Sequence, residues 1–490
     1  MAPALEADFT NWDDPFYVVQ NPVIRALSPA GLRAIATTIH VGHYQPVAIF
    51  SYALDRSLGG DGPRGFHRTN LALHALCTLA VFGLALQLLG NVLAAFVTAL
   101  LFAIHPMHVE AVAWISARKT LLATLFSLGC LSSYLAYLRR PPSKAWLSGS
   151  VGLYVLALLS SAMAAGVALV LPALDLLLGR RLDRRAVRDK VPFFALALVA
   201  GIGAIAVSDE AGALHVARRR APIEQLAFAA ENLGLYAVKV VAPLHLSSYY
   251  PDPEGPLPAS SWAALVGVAA ALSAVLASRR RAPLLAFAAG FFVANLIFLL
   301  QWIPVGLARM ADRYTYLSYV GPFLLIGNGA QRLWQYRSGN PARGRWIATA
   351  ALASLGVWVG WLGLQGFERA HVWRNSDTLW SDVIARYPDH YWAYAYRGQA
   401  RVAAGDLEAG IADYTRSLDR NPRYVNAWFN RGMAHAKRGE LAAAARDLDQ
   451  ALAIDPDLAP ALRSRAWVRE RTGDADGTRL DRERHRQLSE

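Results

Sequence analysis

For most of its length the chain alternates long apolar stretches with short, arginine-rich interruptions. Apolar runs occupy residues 70–89, 91–105, 120–138, 146–160, 162–178, 191–208, 262–278, 283–300, 316–330 and 346–365. Most approach the roughly 20 residues that a helix needs to cross a bilayer. Ahead of them, residues 1–69 are mixed in character: Pro22, Pro29 and Pro46 break any long helix, and Gly59-Gly60-Asp61-Gly62-Pro63 marks a turn. That stretch predicts loops and, at most, short interfacial helices. From residue 366 the chain becomes rich in Arg, Asp and Ala, and a period of 34 emerges. Gly398 and Gly432, Ala400 and Ala434, and Gly405 and Gly439 recur in register, while Pro388, Pro422 and Pro456 close successive units. Tetratricopeptide helix pairs have these spacings and residue types, with small residues where helices approach and proline ending the second helix. Ala466 and Gly473 carry the register into a partial third unit. Trp380 to Pro388 supplies the second helix of a unit before the first, and the charged stretch Asp481 to Glu490 caps the array.

The expected fold class is therefore all-α: a polytopic membrane helix bundle followed by a C-terminal tetratricopeptide α-solenoid. Residues 1–69 form a loop region, 70–365 the multi-pass domain and 366–490 the repeats. Composition agrees, since 54% of the 490 residues are hydrophobic and only 17% charged. The net charge of +13 would point to nucleic acid in a soluble protein. Here the arginines cluster between apolar runs, where they act as topology signals, and nucleic-acid binding is excluded as a reading. Arg139, Arg140 and Lys144 form one basic loop; Arg180, Arg181, Arg184, Arg185, Arg188 and Lys190 a second; Arg279 to Arg281 a third; and Arg332, Arg337, Arg343 and Arg345 a fourth. The positive-inside rule places these loops in the cytoplasm. Residues 1–69, the turn from His105 to Lys119, the turn near Ser160, the loops 247–260 and 301–316, and everything after about 366 then lie outside.

Residues 226–245 break that parity, being apolar yet carrying Glu231, Asn232 and Lys239; they predict a re-entrant or interfacial segment. Otherwise Arg218 to Arg220 is cytoplasmic and the count shifts locally. Cys77 and Cys130 both sit inside apolar runs, as packing residues without a disulfide framework. Met1 to Thr10 lacks the apolar core of a signal peptide.

Three clusters carry candidate chemistry. Asp13 and Asp14 are adjacent, so on a loop one can act as a base while the other orients it or binds a metal; a helix cap or a solvated loop is the plain alternative. His105, His108 and Glu110 gather after Pro106 at the outer end of a membrane helix, beside Arg118 and Lys119. Their spacing is not the helical His-to-His pattern of a metal site, so a divalent metal is a weaker option than a hydrogen-bonded network or an anion site built on Arg118 and Lys119. The third is Arg309-Met310-Ala311-Asp312-Arg313-Tyr314-Thr315-Tyr316-Leu317. Its tyrosines serve as interfacial anchors, Arg309 snorkels and Asp312 pairs with Arg313, or the string forms a lipid-phosphate binding edge.

Trp12-Asp13-Asp14 through Asn21-Pro22, Gly65-Phe66-His67-Arg68-Thr69-Asn70-Leu71 with His74, Leu101 to Ala113, and Ala311 to Leu317 resemble the transmembrane and tetratricopeptide-repeat protein O-mannosyltransferase family and its bacterial relatives. The similarity runs over nearly the whole chain, repeats included. It implies a GT-C-like membrane glycosyltransferase that takes a sugar from a polyprenyl-phosphate donor, with no soluble cofactor, at the extracytoplasmic face of a bacterial inner membrane. It further implies Asp13 as catalytic base with Asp14 its partner, and Glu110, His105 and His108 lining the second outer loop. Arg313 or Arg118, with Lys119, Arg309 and Tyr314 nearby, would hold the donor phosphate, and Asp312 and Tyr316 would line the site. The chain departs from the family twice: relatives have a membrane helix ahead of the acidic pair, and they carry Lys-Pro-Met where this chain has Ser161-Ala162-Met163.

The activity expected is transfer of a mannose-like sugar to Ser or Thr of protein acceptors, which the repeats hold close. A membrane-anchored repeat scaffold for envelope proteins is the non-enzymatic alternative, and a lipid or polysaccharide acceptor a third.

Overall fold

The computed structural model describes residues 1–139, 143–212, 220–302, 308–339 and 342–488. Arg140, Arg218 and Arg219, used above to orient loops, lie outside the described residues. The chain forms two compact units: Met1–Asp8 with Asp13–Arg374, and Phe9–Trp12 with Asn375–Glu490. The four-residue exchange near the N-terminus has no counterpart in the composition, and the repeat unit begins nine residues later than the change of composition at 366.

In the first unit all ten apolar runs are helical. Among the described residues, five helices are long and apolar enough to cross a membrane: Pro63–Leu89, Ile115–Arg139, Arg184–Glu210, Ala259–Ser278 and Ala342–Val372. Others are shorter. Val92–Ile104 has 13 residues, which at about 1.5 Å each falls short of a hydrocarbon core roughly 30 Å thick. It then turns by 57° into Pro106–Ala113. Pro106 forces the turn, since it has no N–H to donate and drives His105 into an extended conformation. Leu198, Val199 and Ile202 on Arg184–Glu210 are 60–70% exposed, an apolar exterior suited to lipid and costly in water.

Small residues set the helix spacing. A side chain at Gly327 would run into Ala94 O and Thr98, and one at Gly321 into Ala288 O, so Val320–Gly339 packs backbone to backbone on two neighbours. Prolines, expected only to interrupt residues 1–69, instead open helices there: Pro29–Thr37, Pro46–Gly59 and Pro63–Leu89 each start on proline, where the missing N–H costs nothing. The first membrane helix therefore starts seven residues before position 70.

Most of residues 226–245 is helical. Pro222–Val241 is one continuous helix, and its polar residues have a partner: Arg309 bonds Glu231 at 2.9 Å and Asn232 at 2.8 Å. In the second basic loop, Lys190 pairs with buried Asp175 and Arg180 with Asp189 at 2.7 Å. Those two cations lock helices together besides contributing positive charge.

The second unit stacks Ser376–Arg386, Tyr391–Ala403, Leu407–Arg420, Val425–Lys437, Leu441–Ile454, Ala459–Thr472 and Ala475–Gln487. The third repeat, expected to be partial, is a complete pair. Gly405, Gly439 and Gly473 adopt φ of 90°, 80° and 84° where each pair turns, a region glycine enters without strain. Gly398 and Gly432 let paired helices approach to within 3.1–3.2 Å of a side chain's space. One arginine per unit then ties the stack. Arg397 donates to Asp413, Arg431 to Asp447 and Arg465 to Asp481, each through two nitrogens. Each also reaches back to the preceding second helix, at Ser381, Thr415 and Asp449.

Candidate functional site

Adjacent aspartates separate into different roles. Asp14 is 1% exposed, and its carboxylate accepts from Ser116 N at 3.1 Å and from Ser116 Oγ, pinning the N-terminal segment to the first turn of Ile115–Arg139. Asp13 is part-exposed, and its side chain accepts no hydrogen bond among the described residues. Its backbone carbonyl accepts from the Phe16 and Tyr17 amides at 3.0 and 3.1 Å, closing the turn that presents the carboxylate. Burial raises the Asp13 carboxyl above the ordinary carboxylate range, against the opposing pull of Lys119 and Arg313. A carboxylate so placed is a stronger base than one in water.

Two cations complete the cluster. Lys119 forms no ion pair among the described residues and lies over the Tyr17 ring at 5.3 Å. Arg313 pairs with Glu110, which also accepts from the Arg313 amide at 3.1 Å, so Glu110 fixes both backbone and guanidinium. The guanidinium lies over Trp114 at 5.2 Å and Tyr314 at 5.1 Å. Beside it lies a narrow, half-open recess of about 20 Å³. Thr120, Thr124 and Ser127, spaced to share one helix face, line it together with Asn295, Met163, Leu299, Tyr314 and Leu317.

Other expected residues lie elsewhere. Arg118 is wholly buried, paired with Asp55 at 2.6 Å and donating to Asn70 at 2.7 Å, Phe66 O at 2.8 Å and Ser51 O at 3.2 Å. No donor is left for a phosphate, and Arg118 is a structural residue. Arg309 is spent on Glu231 and Asn232, away from Arg313. His105 donates from Nε2 to Val240 O at 3.1 Å and accepts the Met107 amide at Nδ1. His108 donates from Nδ1 to Phe102 O at 2.8 Å. Both are buried among Tyr316, Tyr319 and Phe323, and no group of three metal-ligating side chains occurs among the described residues. Tyr316 hydrogen bonds His74 at 2.7 Å, inside the bundle. Asp312 does not pair with Arg313; it accepts from Tyr250 at 2.7 Å, and burial together with the Glu110 charge raises its carboxyl.

Tyr17, Trp114, Thr120, Thr124, Ser127, Asn295 and Tyr250 escaped sequence reasoning. Thr120, Thr124 and Ser127 could have been found as a polar stripe at helical spacing in an apolar run, and Asn295 as a lone amide in another. Nothing local marks Tyr17 or Tyr250.

Apolar helices around this cluster, joined to a stack of 34-residue helix pairs, define a multi-pass helical membrane protein carrying tetratricopeptide repeats. The tetratricopeptide repeat family's profile matches residues 396–459. The chain is 36% identical over 141 residues to the mouse protein O-mannosyl-transferase TMTC1, covering 27% of this chain and 15% of that protein. The human TMTC1 matches at 36% over 142 residues, with 27% and 16% covered. The Caenorhabditis elegans protein O-mannosyl-transferase F38B6.6 matches at 34% over 140 residues, with 26% and 20% covered. Over these stretches the chain is similar to proteins named protein O-mannosyl-transferases, and it spans a fifth or less of those relatives' own length. A crystal structure of MamA overlays 35% of this chain and 92% of its own at 16% identity, with a TM-score of 0.22, a likeness too low to bear on the fold.

Proposed function

We propose that the chain transfers a mannose-like sugar from a polyprenyl-phosphate donor to Ser or Thr hydroxyls of protein acceptors, on the extracytoplasmic face of a bacterial inner membrane. The observation that carries this reading is the Asp13 carboxylate, which accepts no hydrogen bond among the described residues and feels the charges of Lys119 and Arg313. Asp13 takes the proton of the acceptor hydroxyl, and the oxygen attacks the anomeric carbon. The bond to the donor phosphate breaks, and Arg313 stabilises the leaving charge, backed by Glu110. The lipid tail lies along Thr120, Thr124, Met163 and Leu317. A single displacement inverts the anomeric carbon. The four basic loops support the sidedness, and the repeats, with their helix-pair grooves, bring acceptor segments near and raise their local concentration.

The test is sugar transfer from a polyprenyl-phosphate donor in reconstituted membranes. Asp13→Asn is expected to abolish it. Unchanged transfer in that variant rejects Asp13 as base, and a non-enzymatic scaffold would show no transfer in the wild-type chain.

A further inference from the structure

The segment that carries Arg313 is held residue by residue. Ala308–Met310 pairs antiparallel with Tyr250–Pro251, with Tyr250 opposite Met310. One residue on, the Tyr236 hydroxyl takes both backbone groups of Ala311: it accepts from the Ala311 amide at 3.0 Å and donates to Ala311 O at 3.1 Å. The Tyr250 hydroxyl donates to the Asp312 carboxylate at 2.7 Å and accepts from the Ser247 amide at 3.0 Å. The Arg313 amide then donates to Glu110 at 3.1 Å. Three consecutive residues are thus fixed by the helix Pro222–Val241, the segment 247–251 and the helix Val109–Ala113. The frame is itself braced, because Tyr319 donates to Tyr236 O at 2.7 Å. Arg309 bonds Glu231 and Asn232 on the same helix as Tyr236, so the arginine that is used up belongs to this mount. Tyr236, Tyr250, Ala311 and Asp312 are each 4% exposed or less. Neutral groups could satisfy a buried turn; a carboxylate at 312 is costly to bury, and it ties the neighbour of Arg313 to a tyrosine 62 residues away in sequence.

We infer that Tyr236 and Tyr250 are positioning residues for Arg313. Their hydroxyls fix the backbone at 311 and the side chain at 312, which leaves the Arg313 backbone one place to be. Glu110, bonded to both its amide and its guanidinium, then sets the direction of the side chain, and Trp114 and Tyr314 flank the guanidinium at 5.2 and 5.1 Å. A cation mounted this way needs no reorganisation when charge develops on a leaving group, and reacting geometry is sensitive to displacements of about 1 Å. An arginine on an unheld loop would give up backbone and rotamer freedom at each turnover.

This inference rests on Arg313 as the group that meets the donor's charge, and two measurements separate the two claims. The first needs no substrate: hydrogen exchange of the Arg313 amide, resolved to the single residue, in the full-length protein. Tyr236→Phe and Tyr250→Phe keep the rings and leave the amide's own acceptor, Glu110, in place. Exchange at Arg313 nevertheless rises on the order of ten-fold in each, as expected for losing hydrogen bonds of modest net strength nearby. Tyr137→Phe, which removes a tyrosine hydroxyl bonded to Asp189 at 2.8 Å outside this network, leaves it unchanged. Unchanged exchange at Arg313 in both tyrosine variants, or an equal rise in Tyr137→Phe, overturns the proposal. The second is a double-mutant cycle in reconstituted membranes, with transfer expressed per folded protein. Each tyrosine variant lowers kcat/KM for the polyprenyl-phosphate donor about ten-fold with the KM for acceptor peptide within about two-fold, and in an Arg313→Gln background the same change costs less than about two-fold. Full additivity, or a loss confined to acceptor KM, overturns positioning. Absence of transfer by the wild-type chain rejects the sugar-transfer reading instead, and the exchange at Arg313 then decides whether the two tyrosines hold it.

Discussion

Replacing each member of the acidic pair should produce opposite effects on stability and activity. Asp14 accepts two hydrogen bonds from Ser116 while 1% exposed. A hydrogen bond to a charged group is worth about 1.5–3 kcal/mol, so Asp14→Ala should cost about 3–5 kcal/mol and leave the Ser116 donors buried without a partner. Asp13 has no such bonds to lose. Its carboxyl is raised by burial, which means the folded state binds that proton better than the unfolded chain does. The resulting stabilisation is complete below the unfolded pKa and is lost as pH rises through the folded one. At pH 7 the fold therefore bears an ionised Asp13 at a cost, and Asp13→Asn removes that cost. The same substitution removes a general base worth about 10²–10⁴ in rate, or roughly 2.7–5.4 kcal/mol of barrier at 1.36 kcal/mol per decade. Thermal unfolding in detergent and transfer in proteoliposomes are the two assays. Asp13→Asn should unfold at or above the wild-type temperature with transfer lost, and Asp14→Ala well below it. If Asp13→Asn keeps transfer within a few-fold, or is the less stable of the two, the division of roles is wrong. Wild-type kcat should rise with pH through the raised Asp13 pKa and level off above it.

Four further outcomes follow from named contacts. Arg313→Gln removes the cation at the recess and should raise the donor KM and lower kcat at least ten-fold, measured against donor concentration; a wild-type donor response would remove Arg313 from the site. Arg118→Met leaves the half-buried Asp55 without its cation and should cost about 3 kcal/mol of stability, with any loss of transfer matched by loss of folded protein in thermal unfolding. Gly327→Leu forces a side chain into Ala94 O and Thr98, and overpacking of about 1–3 kcal/mol or more should lower the unfolding temperature. Arg431→Ala strips a two-nitrogen pair from Asp447 and should speed amide exchange in residues 425–454 while Pro63–Leu89 is unaffected.

Helices were legible because they answer to local composition. Apolar runs, proline and glycine positions and the 34-residue period gave both units and their order. Edges were less legible, since Pro63 opens a helix that composition alone starts at 70. The Arg-Asp ladder was written in the repeats, as Arg397, Arg431 and Arg465 each sit 16 residues before an aspartate and recur every 34; a period read on small residues and prolines passes over it. What lay beyond the sequence was which neighbour of a charged pair is already satisfied. Arg118 and Lys119 are adjacent, yet at a helix start successive side chains point about 100° apart, and the first meets Asp55 while the second lies over Tyr17.

Partner identity decides function here more than residue type does. Asp14 and Asp13, Arg118 and Lys119, and Arg309 and Arg313 are three like-charged pairs close in sequence, and in each the first or the second is consumed by a distant group: Ser116, Asp55 and Glu231. The glycine-to-histidine string at 65–74 explains one of these choices. Thr69 donates to Asp55 at 2.6 Å and Asn70 accepts from Arg118 while donating to Val112 O at 3.1 Å, so that string builds the frame that uses up Arg118. Glu231 and Asn232, which looked like unexplained polarity in an apolar helix, likewise use up Arg309. Subtracting these satisfied groups leaves Asp13, Lys119 and the Glu110-backed Arg313 as the charges still able to meet a substrate. The candidate site is thus defined as much by the ions the fold neutralises as by those it leaves.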